Sequence, residues 1–379
     1  MTPGTPCDYA VTLTQLTETG TLTSTVSSGT DAGAISSTTI GGLGPFDIPT
    51  NIGLTSTTNA AQFSGAISLN DIGSELLAMQ TVASTNGNLN PGILVGVVPV
   101  QGDSAASLTG ITYVMVGIGT NPTSGVAGDL GVLEGMTFDG QGGFSSAETT
   151  NTWNANTQTG GANVPSPGVA TCPNGATPVA PVTGLVCGTY TVAANGNVSL
   201  TFATGQAGGI NAGYTFTGAF SSDLMVLTNV GTIGPRFLML GIAQPSTTAE
   251  LSGCESNPLN GVGLASEVDI SLGMTYNSSV VETVTFNNGA GTLTLGGGTL
   301  NNGGVLSTYG SGDTATYTVS GGCFYTVPHQ TDSLGNQFDF SEGEVSPTGA
   351  VWISTDMDDQ GGGPAISIGV RIENLIQLN

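Results

Sequence analysis

Apolar and polar residues alternate along much of this chain, in short stretches separated by turn-forming residues. "TYVMVGIG" (112–119) and "ATYTVSGG" (315–322) have the period of two that is typical of β-strands. Clusters of Gly, Asn, Ser and Pro lie between such stretches and favour tight turns. The best helix candidate, "DIGSELLAMQTVA" (71–83), is predicted to be a strand because the segments that match it contain β-branched residues and proline. The pattern predicts an all-β chain with very little helix.

One run of strands occurs three times along the sequence. Each copy has an aromatic-led strand, a polar turn, an apolar strand, a Gly/Pro turn and a second apolar strand. The copies start at Phe63, Phe216 and Phe338. Upstream of the second copy, the Asn195-Gly196 pair predicts a tight hairpin. The match extends further upstream, to residues 46–58, 190–202 and 315–327, and to residues 16–25, 136–146 and 284–294.

The repeat predicts three tandem antiparallel meander modules, each closed into a barrel or flattened into a sandwich. The predicted modules are residues 1–105, 106–250 and 251–379. About seven or eight strands fit into each module at the usual spacing. Residues 7–18, "CDYAVTLTQLTE", are predicted to form an N-terminal arm that could add a strand to the open sheet edge of a neighbouring subunit.

Charge narrows the range of partners. The 379 residues include 26 acidic and two basic residues, Arg236 and Arg371, which gives a formal charge of −24. Such a surface repels phosphate groups, and nucleic-acid binding is therefore not expected. Apolar stretches such as "GILVGVVPV" are too short and too interrupted to span a membrane as a helix. Cations, neutral glycans or another copy of the chain remain as partners, with self-association into a homopolymer favoured.

The cysteines and the absence of lysine favour an exported protein over a cytoplasmic one. The Pro/Gly-rich loop between Cys172 and Cys187 is short enough to be closed by a disulfide, and Cys254 with Cys323 could form a second one. Cys7 is then free or linked to another chain. The alternative is that all five cysteines are small buried apolar residues. No signal peptide precedes "MTPGTPC", so we expect that a leader has been removed or that export uses another signal.

The sequence contains no recognisable set of catalytic residues. The single histidine, His329, has no GxSxG serine to act on, and the absence of lysine excludes a P-loop or a Schiff base. Glu342 and Glu344 in "SEGEV" would share one strand face, but an acid glycosidase needs two carboxyls across a cleft. A solvated acidic turn is the favoured interpretation of that pair, and no enzymatic activity is predicted.

"DMDDQGGG" is the best candidate for a metal site. Asp356, Asp358 and Asp359 precede three glycines, so that hard carboxylate oxygens and flexible backbone carbonyls come together as Ca²⁺ requires. The segment is neither an EF-hand nor a nonapeptide calcium repeat. An empty acidic loop is the alternative to bound calcium, and no other cofactor is predicted.

Segments such as "MTFDGQGGFSS" (136–146), "GTYTVAANGNVSLTF" (188–202) and "GAVWISTD" (349–356) resemble the uncharacterised Gly/Thr-rich β-repeat proteins that many bacteria export to the cell surface. The resemblance implies secretion and a barrel-like module, and it supplies no catalytic residues. We therefore expect an extracellular structural protein, a subunit of a surface filament, sheath or layer. The alternative is a secreted binding protein whose barrels hold a small apolar ligand or a glycan.

Overall fold

The computed structural model describes the chain in segments between Ala10 and Arg371. The described residues are 10–16, 22–28, 34–41, 51–56, 62–70, 73–82, 93–97, 102–120, 129–148, 153–154, 185–194, 196–202, 215–221, 224–229, 236–269, 278–302, 305–309, 312–331, 337–338, 341–356 and 365–371. Strands dominate these residues, and the predicted all-β fold class is confirmed.

The first sheet is an open antiparallel meander of seven strands that lie side by side in chain order. The candidate helix of the sequence is a strand, as predicted, and it is the sixth of the seven. The strands are β1 (Ala10–Leu16), β2 (Leu22–Ser28), β3 (Ala34–Gly41), β4 (Asn51–Ser56), β5 (Gln62–Asn70), β6 (Gly73–Val82) and β7 (Ile93–Val97).

The second sheet closes into an eight-stranded antiparallel barrel, here called the middle barrel. It closes because its first and last strands pair, with Tyr113 opposite Ala243. A two-residue strand, β11, pairs with β9 outside the ring. The strands are β8 (Thr112–Thr120), β9 (Asp129–Phe138), β10 (Gly143–Glu148), β11 (Trp153–Asn154), β12 (Leu185–Val192), β13 (Asn197–Phe202), β14 (Thr215–Phe220), β15 (Leu224–Thr228) and β16 (Arg236–Ala243).

The third sheet forms a second closed ring, here called the C-terminal barrel. Its first and last strands pair, and β21 and β22, separated by Tyr317 alone, connect β19 to β23. Strands β20, β24 and β25 lie outside the ring. The strands are β17 (Gly261–Asp269), β18 (Ser278–Asn287), β19 (Thr292–Asn302), β20 (Val305–Tyr309), β21 (Thr314–Thr316), β22 (Thr318–Ser320), β23 (Phe324–Val327), β24 (Gln330–Thr331), β25 (Gln337–Phe338), β26 (Ser341–Val345), β27 (Val351–Asp356) and β28 (Ala365–Arg371).

The three sheets share one strand order. Strands β1–β7 correspond to β9, β10 and β12–β16 in the middle barrel, and to β18, β19, β21/β22, β23 and β26–β28 in the C-terminal barrel. Phe63 and Phe216, which begin two copies of the sequence repeat, lie in the equivalent strands β5 and β14, whereas Phe338 lies in β25, just before β26. Within the described residues, the first sheet has no counterpart of β8 or β17. The sheets fall within the predicted module bounds, and the folding of each module as a separate unit stays a prediction.

Aromatic side chains fill the interiors of both barrels. In the middle barrel the ring of Phe138 meets that of Tyr190 edge to face at 5.0 Å, and Phe286 and Tyr317 make the equivalent contact at 5.2 Å in the C-terminal barrel. Each such pair contributes about 0.5–1.5 kcal/mol beyond the area it buries. The interior of the middle barrel is lined by the buried side chains of Leu108, Tyr113, Met115, Met136, Phe138, Phe144, Tyr190, Val198, Leu200, Phe202, Phe216, Phe220, Met225, Leu227 and Met239.

A short helix precedes the first strand of each barrel. A 3-10 helix, Ala105–Leu108, comes before β8, and the α-helix α1, Thr248–Glu255, comes before β17. Helix α1 begins at a capping box, in which the Thr247 hydroxyl accepts from the Glu250 amide while the Glu250 carboxylate accepts from the Thr247 amide. Local sequence therefore sets where α1 starts.

Two equivalent tyrosines tie these leading segments to the barrels. The Tyr190 hydroxyl donates to the Ala105 carbonyl, and the Tyr317 hydroxyl donates to the Leu259 carbonyl, both at 2.9 Å. Both tyrosines lie in the sequence "TYTV", at 189–192 and 316–319. The match between the two barrels therefore includes a side-chain hydrogen bond as well as the order of the strands.

The outer faces of the two barrels meet in a shared apolar cluster, here called the seam. Strand β8 shows how it forms, since Tyr113 and Met115 point into the middle barrel while Val114 and Val116 point into the seam. Strands such as β8 are thus buried on both faces. Val95 and Val97 of β7 also pack against the buried residues of the seam. These buried residues are Val114, Val116, Ile118, Leu224, Leu240, Ile242, Val268, Phe324, Ala350, Val351, Ile353, Ile366, Ile368 and Val370.

Replacing Gly369 by alanine should destabilise the C-terminal barrel. The indole of Trp352 lies directly over Gly369, which pairs with it across β27 and β28, so an added Cβ would collide with the ring. We expect the free energy of unfolding to fall by about 1–3 kcal/mol, measured by denaturant titration. Gly321→Ala is the matched control, because open space surrounds that glycine and its φ is not positive. Equal stability of the two variants would contradict the expected collision.

Candidate functional site

Glu342 and Glu344 lie on one face of β26, but not in a solvated turn. Val345, which alternates with them, points into the C-terminal barrel, so the two carboxyls point outward. Glu344 lies opposite Phe324 on β23 and Ile353 on β27, both of which belong to the seam. The favoured interpretation from sequence, an acidic turn in water, is therefore wrong. The pair is buried where the two barrels meet, and β26 contacts β8 there.

Burial dominates the electrostatics of these two carboxyls. Glu344 is 0% exposed, and neither of its carboxyl oxygens has a hydrogen-bond partner among the described residues. Desolvation holds the pKa of Glu344 well above its usual range and raises that of Glu342 to about 7. Both side chains lie on one face of the same strand, and no cleft separates them. This arrangement cannot place two carboxyls on opposite sides of a glycosidic bond.

A third glutamate with a raised pKa lies elsewhere in the C-terminal barrel. Glu282 of β18 lies opposite Ala265, whose side chain points into the barrel. Burial, followed by the charges of Glu267 and Asp313, raises the pKa of Glu282 to about 8. Among the described residues, no three His, Cys, Asp or Glu side chains come together in a way that could hold a metal ion.

The predicted calcium segment falls mostly outside the described residues. Asp356 is the last residue of β27 and lies opposite Ala365 of β28. Asp358 and Asp359 lie outside the described part of the chain. The calcium site stays a prediction.

One of the two predicted disulfides is present. Cys254 of α1 and Cys323, in the turn between β22 and β23, form a disulfide with a Cα–Cα distance of 4.7 Å. It ties α1 to the C-terminal barrel at a turn where Cys323 has a left-handed φ of 69°. Cys172 and Cys7 lie outside the described residues, so the pairing of Cys172 with Cys187 stays a prediction.

His329 and Arg371 lie away from the buried glutamates. His329 is exposed in the bend before β24. Arg371, at the end of β28, donates from its guanidinium to the Thr348 carbonyl at 3.1 Å.

Unpaired sheet edges are the most distinctive surface feature of this architecture. Within the described residues, β1 pairs with β2 alone and β7 with β6 alone, so the first sheet has two open edges. The position between them is the one that β8 or β17 fills in the two barrels. The predicted arm corresponds in part to this sheet. Ala10–Leu16 is β1, paired within its own chain, and so it is not a free arm.

Strand β20 provides a further open edge that the sequence interpretation missed. It pairs with the end of β19, from Gly298 to Asn302, and has no other partner within the described residues. Val305 is 67% exposed and Leu306 is 39% exposed, so both faces of the strand meet solvent. Within the described residues, no strand of the middle barrel pairs in the equivalent position. A Gly-Gly turn followed by consecutive apolar residues was the signal that could have identified it.

Comparisons with known proteins give no family. No protein-family model matches the chain, and no curated protein matches it. Among solved structures, the chain is similar to a protein of unknown function from the DUF3598 family of Nostoc punctiforme. That match has a TM-score of 0.22 and 10% sequence identity, and it covers 71% of this chain and 99% of the other. Separately, none of the described helices is both long and apolar enough to cross a membrane.

Proposed function

We propose that this chain is a non-enzymatic extracellular structural protein that assembles with copies of itself by pairing strands across open sheet edges. The observation that carries the proposal is the first sheet. It follows the same strand order as two closed barrels but lacks, within the described residues, the strand that closes each of them. An edge strand presents a row of unpaired amide and carbonyl groups, which a strand from another chain can satisfy.

The charge distribution supports a role in assembly. With 26 acidic and two basic residues, copies of the chain repel one another wherever their acidic surfaces face. Attachment is then favoured at surfaces without acids, where backbone hydrogen bonds and apolar contacts outweigh the repulsion. The uncharged β1 strand is such a surface.

An extracellular location is supported by the Cys254–Cys323 disulfide, because such bonds persist mainly in oxidising compartments. The absence of lysine and the abundance of glycine and hydroxyl residues agree with an exported surface protein. Glycans and calcium remain secondary partners that the assembled protein could meet at the cell surface.

A ligand-binding barrel is less well supported. Among the described residues, the aromatic rings inside the middle barrel make edge-to-face or tilted contacts with centroid distances between 5.0 and 5.9 Å. Rings packed in this way occupy the volume that a small apolar ligand would need. The acids of the seam are likewise enclosed between barrels and do not line a cleft.

Assembly can be tested with the purified chain. Sedimentation velocity and electron microscopy of a dilution series should show monomers at low concentration and extended polymers at high concentration. Growth should be stronger at about 0.15 M salt than at low salt, because the Debye length there is about 8 Å and acidic repulsion is screened. A protein that stays monomeric at the highest concentration in both salts, with the disulfide intact, would contradict the proposal.

A further inference from the structure

The geometry points to a specific contact: β20 of one copy pairs with β1 of the next copy, joining the C-terminal barrel of the first to the open sheet of the second. This inference rests on the proposed function, because it names the two strands through which self-assembly occurs. It also gives the assembly a direction, since the two joined surfaces are different.

Strand β20 is built as a projecting edge. Strand β19 pairs through its first half with β21 inside the ring, and through its second half with β20 outside the ring. The hairpin of β19 and β20 therefore extends beyond the barrel wall. Residues 305–308 are all exposed, and alternating side chains of a strand point to opposite faces, so neither face is covered. Val305 and Leu306 are therefore not part of the packed interior of the barrel.

The chemistry of β20 is that of an unprotected edge. Natural edge strands usually carry lysine, proline or an inward charge that discourages pairing. Val305–Tyr309, "VLSTY", has none of these, although the chain carries 26 acids. Ala10–Leu16, "AVTLTQL", is equally free of charge and proline. Two uncharged β-prone edges are thus available on a molecule that otherwise repels its copies.

Strand β1 is the better partner among the open edges. The other edge of the first sheet, β7, contacts β15 and β17, and its Val95 and Val97 pack against the seam. Pairing of β20 with another β20 would close into a two-fold dimer and leave the first sheet open. Pairing with β1 uses a different surface on each copy and repeats without limit, as a filament requires.

A lysine at the edge provides the test. Leu306→Lys should raise the critical concentration for assembly about tenfold or more, because the ammonium must be desolvated when a strand pairs there. The matched control is Leu251→Lys on α1, since Leu251 is 40% exposed and Leu306 is 39% exposed. Both variants reduce the net negative charge by one, which favours assembly if bulk charge alone matters. Thermal unfolding should be the same in both.

Hydrogen exchange of wild-type monomer and polymer identifies the strands independently of any variant. Amides of residues 305–309 and 10–16 should gain protection in the polymer, while those of β8, already paired on both sides, should not change. Assembly of Leu306→Lys at the wild-type concentration, or equal inhibition by Leu251→Lys, would overturn the assignment of β20. Protection of 305–309 without 10–16 would overturn the assignment of β1. In each of these cases the proposed function would stand, whereas a wild-type protein that never assembles would remove both.

Discussion

Replacement of Glu344 by glutamine is expected to stabilise the protein at neutral pH. The native carboxyl is 0% exposed and lies between Phe324 and Ile353, without a hydrogen-bond partner among the described residues. Because burial raises the pKa of this carboxyl, folding at pH 7 takes up a proton that the unfolded chain has released, and this costs free energy. Glutamine keeps the shape and the polar atoms of the side chain but does not ionise, so this cost is removed. Denaturant unfolding at pH 7 should show a gain of about 1–3 kcal/mol, because each unit of pKa difference between the folded and unfolded states corresponds to about 1.4 kcal/mol.

The pH dependence of unfolding should change in a defined direction. Because burial raises the pKa of Glu344 in the folded state, the folded protein binds a proton that the unfolded chain releases. Stability is then highest below the unfolded value of 4.5 and is lost as the pH rises toward the folded value. Glu342 and Glu282 add losses of the same sign, up to about pH 7 and about pH 8. Glu344→Gln should flatten this decline.

The matched control is Glu255→Gln, which makes the same substitution at an exposed position on α1. It should leave the stability at pH 7 close to that of the wild type. If Glu344→Gln and Glu255→Gln change stability equally, the effect belongs to net charge and not to burial. Destabilisation by Glu344→Gln would contradict the unpartnered environment of this carboxyl.

Removal of the Cys254–Cys323 disulfide should lower the free energy of unfolding more than Gly369→Ala does. The bond joins residues 69 positions apart, and a cross-link of that span restricts the unfolded chain strongly. The chain-entropy model predicts a loss of about 4 kcal/mol when both cysteines are replaced by serine. Denaturant titration of the double variant, compared with the wild type under oxidising conditions, measures this loss.

A reduced wild-type sample separates the bond from the side chains. Under reducing conditions the wild type should lose nearly the same stability, while the double serine variant should not respond to reductant. A wild-type protein that keeps its stability after full reduction would show that α1 is held by packing alone. The contact of α1 with the turn at Pro347, where Gly253 approaches the Pro347 carbonyl, would then be sufficient.

Much of the strand order could be predicted because a meander is a local architecture. Each strand pairs with its neighbour in sequence, so alternation and turn residues are enough to place hairpins such as β12–β13, whose turn ends at Gly196 with a φ of 79°. The match between 190–202 and 315–327 likewise fell on equivalent strands. Local sequence contains the information that these elements need.

The seam could not be predicted in the same way. In "SEGEV" the alternation places Glu342 and Glu344 on the polar face, and on an isolated barrel that face would meet water. Here a second barrel covers it. Strand β8 carries the complementary signal, because residues 113–118 are buried without interruption, as expected for a strand covered on both sides. The sequence does not show which barrels contact each other, and so it does not show which outward-facing side chains are buried.

Ring closure also has a kinetic consequence. Hairpins between successive strands can form early, because the residues they join are near one another in sequence. The β8–β16 and β17–β28 ladders join the two ends of their modules. The chain therefore loses the entropy of closing a long loop before the hydrogen bonds of either ladder can stabilise it. We expect the formation of these two ladders to limit the folding rate. Each barrel should then pass through an intermediate whose first and last strands are still unpaired, so that it has open edges like those of the first sheet.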